Sequence, residues 1–118
     1  MRKLVLLVLL GLSTIAYSQK KQPTFKAEGD LVKATYYHDN GAIKTQGFFK
    51  DSKLDGKWVS FDKEGNKLQL AFYEEGRKVG KWLIWTSPTI VKEIIYENNT
   101  VVSVYEKDIE TGLAINND

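Results

Sequence analysis

The chain predicts an all-β fold of antiparallel β-hairpins, repeated and laid side by side into one elongated, twisted sheet. Three observations carry this expectation. Gly56-Lys57-Trp58 recurs as Gly80-Lys81-Trp82, 24 positions later. Lys67–Tyr73 alternates, with Leu68, Leu70 and Phe72 on one side and Lys67, Gln69 and Ala71 on the other. That period of two marks a half-buried strand. Strand-like runs are separated by Asp39-Asn40-Gly41, Lys63-Glu64-Gly65-Asn66 and Glu74-Glu75-Gly76-Arg77. Their Gly and Asn accept the positive φ that tight hairpin turns require.

Taken in order, residues 1–18 read as a secretory signal peptide. Arg2 and Lys3 form a basic start, Leu4–Leu12 is apolar, and Ala16-Tyr17-Ser18 places small residues at a cleavage site after Ser18. The apolar run is too short for the ~20 residues of a membrane-spanning helix. The expectation is therefore an exported chain, periplasmic or extracellular. Residues 19–30 are polar, with Pro23 and Gly29, and read as a linker or an ordering arm. The repeat domain is expected over 31–106. Its strands are Leu31–His38, Ala42–Lys50, Gly56–Asp62, Lys67–Tyr73, Gly80–Thr86, Ile90–Glu97 and Thr100–Glu106. Ser87-Pro88 interrupts the array, since proline cannot donate to a ladder. Residues 107–118 are an acidic tail expected to fray. Leu31–His38 and Thr100–Glu106 are then the edge strands, guarded by little besides Lys33, so edge-to-edge pairing is open to them.

With 118 residues the chain makes one domain. Its 17 Lys and Arg face 15 Asp and Glu, and removing Arg2 and Lys3 leaves 15 of each sign. A neutral exported chain lacks the basic surplus of a nucleic-acid binder, so no nucleic-acid partner is expected. A local surplus persists in Lys44–Lys92, with ten basic and six acidic residues, and would suit an anionic membrane surface. There is no cysteine, which excludes disulfides, thiolate metal sites, thiol nucleophiles and lipid attachment through cysteine. Packing and strand pairing alone must hold a small domain together, so modest stability is expected.

The period extends beyond the triplet. A shift of 24 aligns Tyr37 with Phe61 and Trp85, and Phe48 with Phe72 and Tyr96. It also aligns Gly41 with Gly65, Phe49 with Tyr73 and Lys53 with Arg77. The outer copies decay. Val32-Lys33-Ala34 stands in the first unit where the triplet should be, and in the third Thr89 and Thr100 replace turn glycines. An intact middle unit between degraded outer ones is the pattern of a capped array. Trp58 and Phe61 are three apart, as are Trp82 and Trp85. Either a bulge turns the strand between them, or both sheet faces carry aromatics.

The run Lys53-Leu54-Asp55-Gly56-Lys57-Trp58, then Phe61, Glu64-Gly65, Lys67, Phe72-Tyr73, Gly76-Arg77 and Gly80-Lys81-Trp82, resembles a bacterial variant of the MORN repeat. It is similar to tandem copies in small bacterial proteins, some of them grouped as antitoxins. The resemblance covers about Leu31–Tyr105, is specific in the central unit, and departs from the pattern at Ser87–Thr89. It implies stacked antiparallel hairpins and interaction or scaffolding work with protein or lipid partners. It transfers no catalytic residue.

No residue set spells out a reaction, and no enzyme, metal or cofactor is expected. His38, the single histidine, adjoins Asp39 at a turn edge, where solvation explains it better than a triad does. His38, Asp39 and Asn40 likewise suit a turn better than a metal site. Asp62, Glu64, Glu74 and Glu75 read as solvent-facing turn charges rather than a glycosidase carboxylate pair. Gly41, Gly56, Gly65, Gly76 and Gly80 are structural turn glycines. Asn98-Asn99-Thr100 matches a glycosylation sequon but reads as a turn. The aromatics remain. Trp58, Phe61, Trp82 and Trp85 should pack as a ladder at roughly 0.2–1 kcal/mol per cross-strand pair. They are also the candidate partner-binding residues wherever a face stays open. The expected function is a non-enzymatic binding or scaffold module that takes a protein partner through an aromatic-lined sheet. Binding of a carbohydrate or envelope polymer is the alternative.

Overall fold

The computed structural model describes residues 20–115. The signal peptide expected over 1–18, with its cleavage after Ser18, lies outside them, as do residues 116–118. Among the described residues there is no helix, and ten antiparallel strands form one open sheet. They are β1 (Thr24–Glu28), β2 (Leu31–Tyr37), β3 (Ile43–Lys50), β4 (Lys53–Phe61), β5 (Lys67–Glu74), β6 (Arg77–Lys78), β7 (Gly80–Trp85), β8 (Ile90–Glu97), β9 (Thr100–Asp108) and β10 (Ala114–Ile115). Neighbours in sequence are neighbours in space, from β1 at one edge to β9 and β10 at the other. The short β6 and the longer β7 both pair with β5 and act as one strand interrupted at Val79.

Two expectations about the ends change. Part of the polar linker is strand: Thr24–Glu28 pairs residue for residue with Leu31–Thr35. Part of the tail is ordered as well: β9 runs to Asp108, and Ala114 and Ile115 return to pair with Lys107 and Glu106. The edge at the start of the array is therefore β1 rather than Leu31–His38. In both segments the backbone donors and acceptors of an exposed strand find partners, which outweighs polar composition.

Tight turns set the cadence. Asp51-Ser52, Glu75-Gly76 and Asn98-Asn99 each place two successive residues at positive φ. That matches two-residue turns of the primed type, whose twist suits the flanking strands. All five expected turn glycines have positive φ. Gly56 (φ 69°) and Gly80 (φ 73°) matter most, because each redirects the strand just before the Lys-Trp step.

The repeat is kept down to individual pairs. Phe49 pairs with Leu54, and Tyr73 with Lys78; Thr45 pairs with Ser60, and Gln69 with Ile84. The β-bulges repeat too, with Lys44 and Leu68 as the extra residues against β2 and β4. The third unit breaks step. β8 has no bulge at this point, since Ile84 pairs with Lys92 and Trp82 with Ile94 in unbroken register. One residue fewer shifts the later part of the unit to a spacing of 23, so that Ile94 takes the place of Ala71 and Tyr96 that of Tyr73. The expected alignment of Tyr96 with Phe72 is corrected accordingly.

The packed face is the one that carries Trp58 and Trp82. Ala34, Trp58, Ala71 and Trp82 are buried together, with Tyr36, Phe49, Leu54, Tyr73, Ile94 and Tyr96 against them. Across the strands the row runs Ala34, Gly47, Trp58, Ala71, Trp82, Ile94, alternating small and large from Gly47 to Trp82. In β5 it is Ala71 that is buried, while Leu68 on the apolar side is exposed. The small residues hold the buried positions because the indoles need the space above them.

Candidate functional site

Trp58 and Trp82 are core residues. They are 8% and 4% exposed. The Trp58 indole N–H donates to the Phe48 carbonyl at 3.0 Å, and the Trp82 N–H to the Phe72 carbonyl at 3.1 Å and the Val79 carbonyl at 3.2 Å. Edge-on aromatic partners repeat in the same way: Phe49 on Trp58 at 5.1 Å and Tyr73 on Trp82 at 5.2 Å between centroids. Lys78 Nζ covers Trp82 and Tyr96 at 5.1 and 5.3 Å. These two tryptophans pack in the row, as the ladder reading expects, and the face they lie on is not open at them.

Phe61 and Trp85 stand apart from it. The bulged residue at this point is Leu68 on β5, so β4 keeps its alternation and sets Phe61 opposite Trp58. Both sheet faces therefore carry aromatics. On the face opposite the row, Phe61, Leu70, Leu83 and Trp85 are only partly buried.

This face also holds Glu93, which is 6% exposed and stands in the place that Leu70 has in the previous unit. Its nearest cation is Lys81, at 3.7 Å from Oε2, and that oxygen accepts no hydrogen bond. Tyr105 pairs with Glu93 across β8 and β9. The Glu93 carboxylate beside it raises the Tyr105 phenol above its ordinary value of 10.0.

The hairpin turns on one side of the sheet are joined unevenly. Between the first two, His38 Nε2 bonds the Phe61 carbonyl at 2.8 Å, and Asn40 Nδ2 donates to the Lys63 carbonyl at 2.9 Å. His38 is thus a strut between turns rather than a solvated ring. Between the second and third turns no such bond forms among the described residues. A groove of about 430 Å³ lies there instead, lined by Asp62, Asn66, Lys67, Leu68, Trp85, Ser87 and Pro88. Asp62 is held by its own turn. Its Oδ1 accepts the Glu64 and Asn66 N–H groups at 3.0 and 2.8 Å, and Oδ2 accepts Asn66 Nδ2 at 3.2 Å. The Asn66 backbone bond leads in holding its carboxyl below the usual 3.8. Ser87 Oγ accepts the Thr89 and Ile90 N–H groups at 3.3 and 3.0 Å.

The other carboxylates do not converge with these. Glu74 and Glu75 line a separate charged cleft with Lys50, Asp51, Lys53 and Asp55. Among the described residues no three His, Cys, Asp or Glu side chains are placed to hold a metal ion.

The far end of the array is the most apolar surface. Of ten exposed large hydrophobic side chains among the described residues, six follow residue 100: Val101, Val102, Val104, Tyr105, Ile109 and Leu113. The valine-rich run of β9 is readable as a strand. That its valines stay uncovered is not, because it depends on what packs over Ile94. No family model matches the chain, and no curated protein or solved structure matches it.

Proposed function

We propose that the chain is a non-enzymatic binding module of the bacterial envelope or exterior, and that it takes a protein partner at the β9 end of its sheet. One observation carries this reading. Trp58 covers Gly47 and Trp82 packs with Ala71, but no further Gly-Lys-Trp comes after Gly80-Lys81-Trp82, and among the described residues Val104 rather than an indole pairs with Ile94. Val101, Val102 and Val104 are left 49–53% exposed. Repeat arrays need a polar cap at each end to stay soluble alone. β1 has one in Lys26 and Glu28, whereas Thr100–Tyr105 carries no charge. An uncharged apolar edge is a template for a partner's strand or apolar side chains.

The MORN-like cadence and the signal-like residues 1–18 support an exported interaction module. The test is a photo-crosslinking amino acid placed at Val104 or at Lys26 in the native envelope. A protein adduct formed at Val104, absent at Lys26, and lost on adding Val101→Asp is the expected result. Equal adducts at both ends, or none at Val104, would overturn the reading.

A further inference from the structure

We infer that the groove beside Trp85 binds one ring of a neutral saccharide, at a site separate from the β9 surface. The same interval occurs twice in the sheet. In the first, His38 and Asn40 bridge the turns and close it. In the second their counterparts at the spacing of 24 are Asp62 and Glu64, and Asp62 is turned to its own loop. The groove is thus a specific opening in an otherwise repeated contact. Its volume of about 430 Å³ lies within the ~300–1,000 Å³ typical of small-ligand sites.

The chemistry of the lining selects the ligand. Trp85 is the tryptophan whose indole N–H, unlike those of Trp58 and Trp82, meets no acceptor among the described residues. It offers a π-face and a free donor. Lys67, outside the described ion pairs, and the Ser87 hydroxyl, whose oxygen is already accepting, add two further donors. Asp62 Oδ2, with a single 3.2 Å donor, adds a carboxylate acceptor held ionised. Donors and an ionised acceptor on one rim suit hydroxyl groups, each of which gives and takes a hydrogen bond. An anion would meet Asp62 and a cation Lys67, so a charged ligand leaves one of them opposed. Leu68 and Pro88, with the indole, suit the C–H face of a pyranose.

The test is a ¹H–¹⁵N titration of the purified chain with cellotetraose, chitotetraose and maltotetraose. The expected result is a saturable shift of the Trp85 indole signal with at least one of them, while the Trp58 and Trp82 indole signals stay in place. Trp85→Phe, which keeps the apolar bulk and removes the N–H, should weaken binding roughly tenfold. Lys67→Ala should weaken it several-fold. In both variants the Trp58 and Trp82 signals report an intact sheet. No saturable shift up to about 20 mM of any of the three sugars overturns the inference. So does undiminished binding by a folded Trp85→Ala chain. Neither result touches the β9 surface, whose crosslinks are read separately.

Discussion

The Trp58 indole occupies the space that a side chain on Gly47 would fill: a Cβ built there overlaps the ring atoms Cγ, Cδ2 and Cε2. Gly47 is not at positive φ, so the glycine is required by the approach of the ring and not by the turn of the backbone. One repeat later the same position holds Ala71, and Trp82 packs with it. The two copies of the motif thus differ by one methyl group.

Gly47→Ala should therefore destabilise the chain by about 1–3 kcal/mol, the range of overpacking in a filled site. Ala71→Gly should cost less, about 1 kcal/mol, from the lost methyl and the added backbone freedom. Urea unfolding monitored by tryptophan fluorescence compares the two. Equal costs would show that the rings are not seated as described.

Removing a ring is more severe. Trp82→Ala deletes a side chain that Tyr73, Tyr96 and Lys78 all touch. The expected loss of ~3–5 kcal/mol is comparable to the whole stability of a small domain. Far-ultraviolet circular dichroism should show an unfolded or barely folded chain at room temperature, whereas Trp85→Ala should leave the sheet intact.

Glu93 stands where the preceding unit has Leu70, with Lys81 ion-paired at 3.7 Å but no hydrogen bond to Oε2. Glu93→Leu should leave stability unchanged or raise it by about 1 kcal/mol. Lys81→Ala should lower it, because the buried carboxylate loses its nearest cation. In Glu93→Leu the second substitution should have little effect, and a double-mutant cycle measures the difference.

Asp62 supplies the pH dependence. Its carboxyl lies below 3.8 in the folded chain because its turn donates hydrogen bonds to the ionised form. The unfolded chain then binds the proton more readily. The contribution is present above pH 3.8 and is lost as pH falls through the lower folded value. Asp62→Asn should be less stable than the parent at pH 7, and the gap should narrow in acid below that point. Because the group is exposed, the effect is small and shrinks in salt. Denaturant midpoints across pH follow it.

The all-β class, the hairpin order and the turn glycines were legible in the residues between Leu31 and Tyr105. Turn chemistry and alternation are local properties, and the GKW repeat states its own period. The groove was not legible. Trp85 is identifiable as an aromatic in register with Phe61, but the strut that closes the equivalent interval is a bond from His38 to a carbonyl 23 residues away. Nothing in the spacing of His38 announces that bond.

The sequence by itself determined the repeating strand and turn, because each depends on a few neighbouring residues and on the φ they tolerate. Only the tertiary structure decided which face is packed. Alternation in β5 names two faces but cannot rank them. The side with Ala71 won because the indoles need small residues beneath them, and Gly47 and Ala71 supply the room. The same contact decided which tryptophans are core.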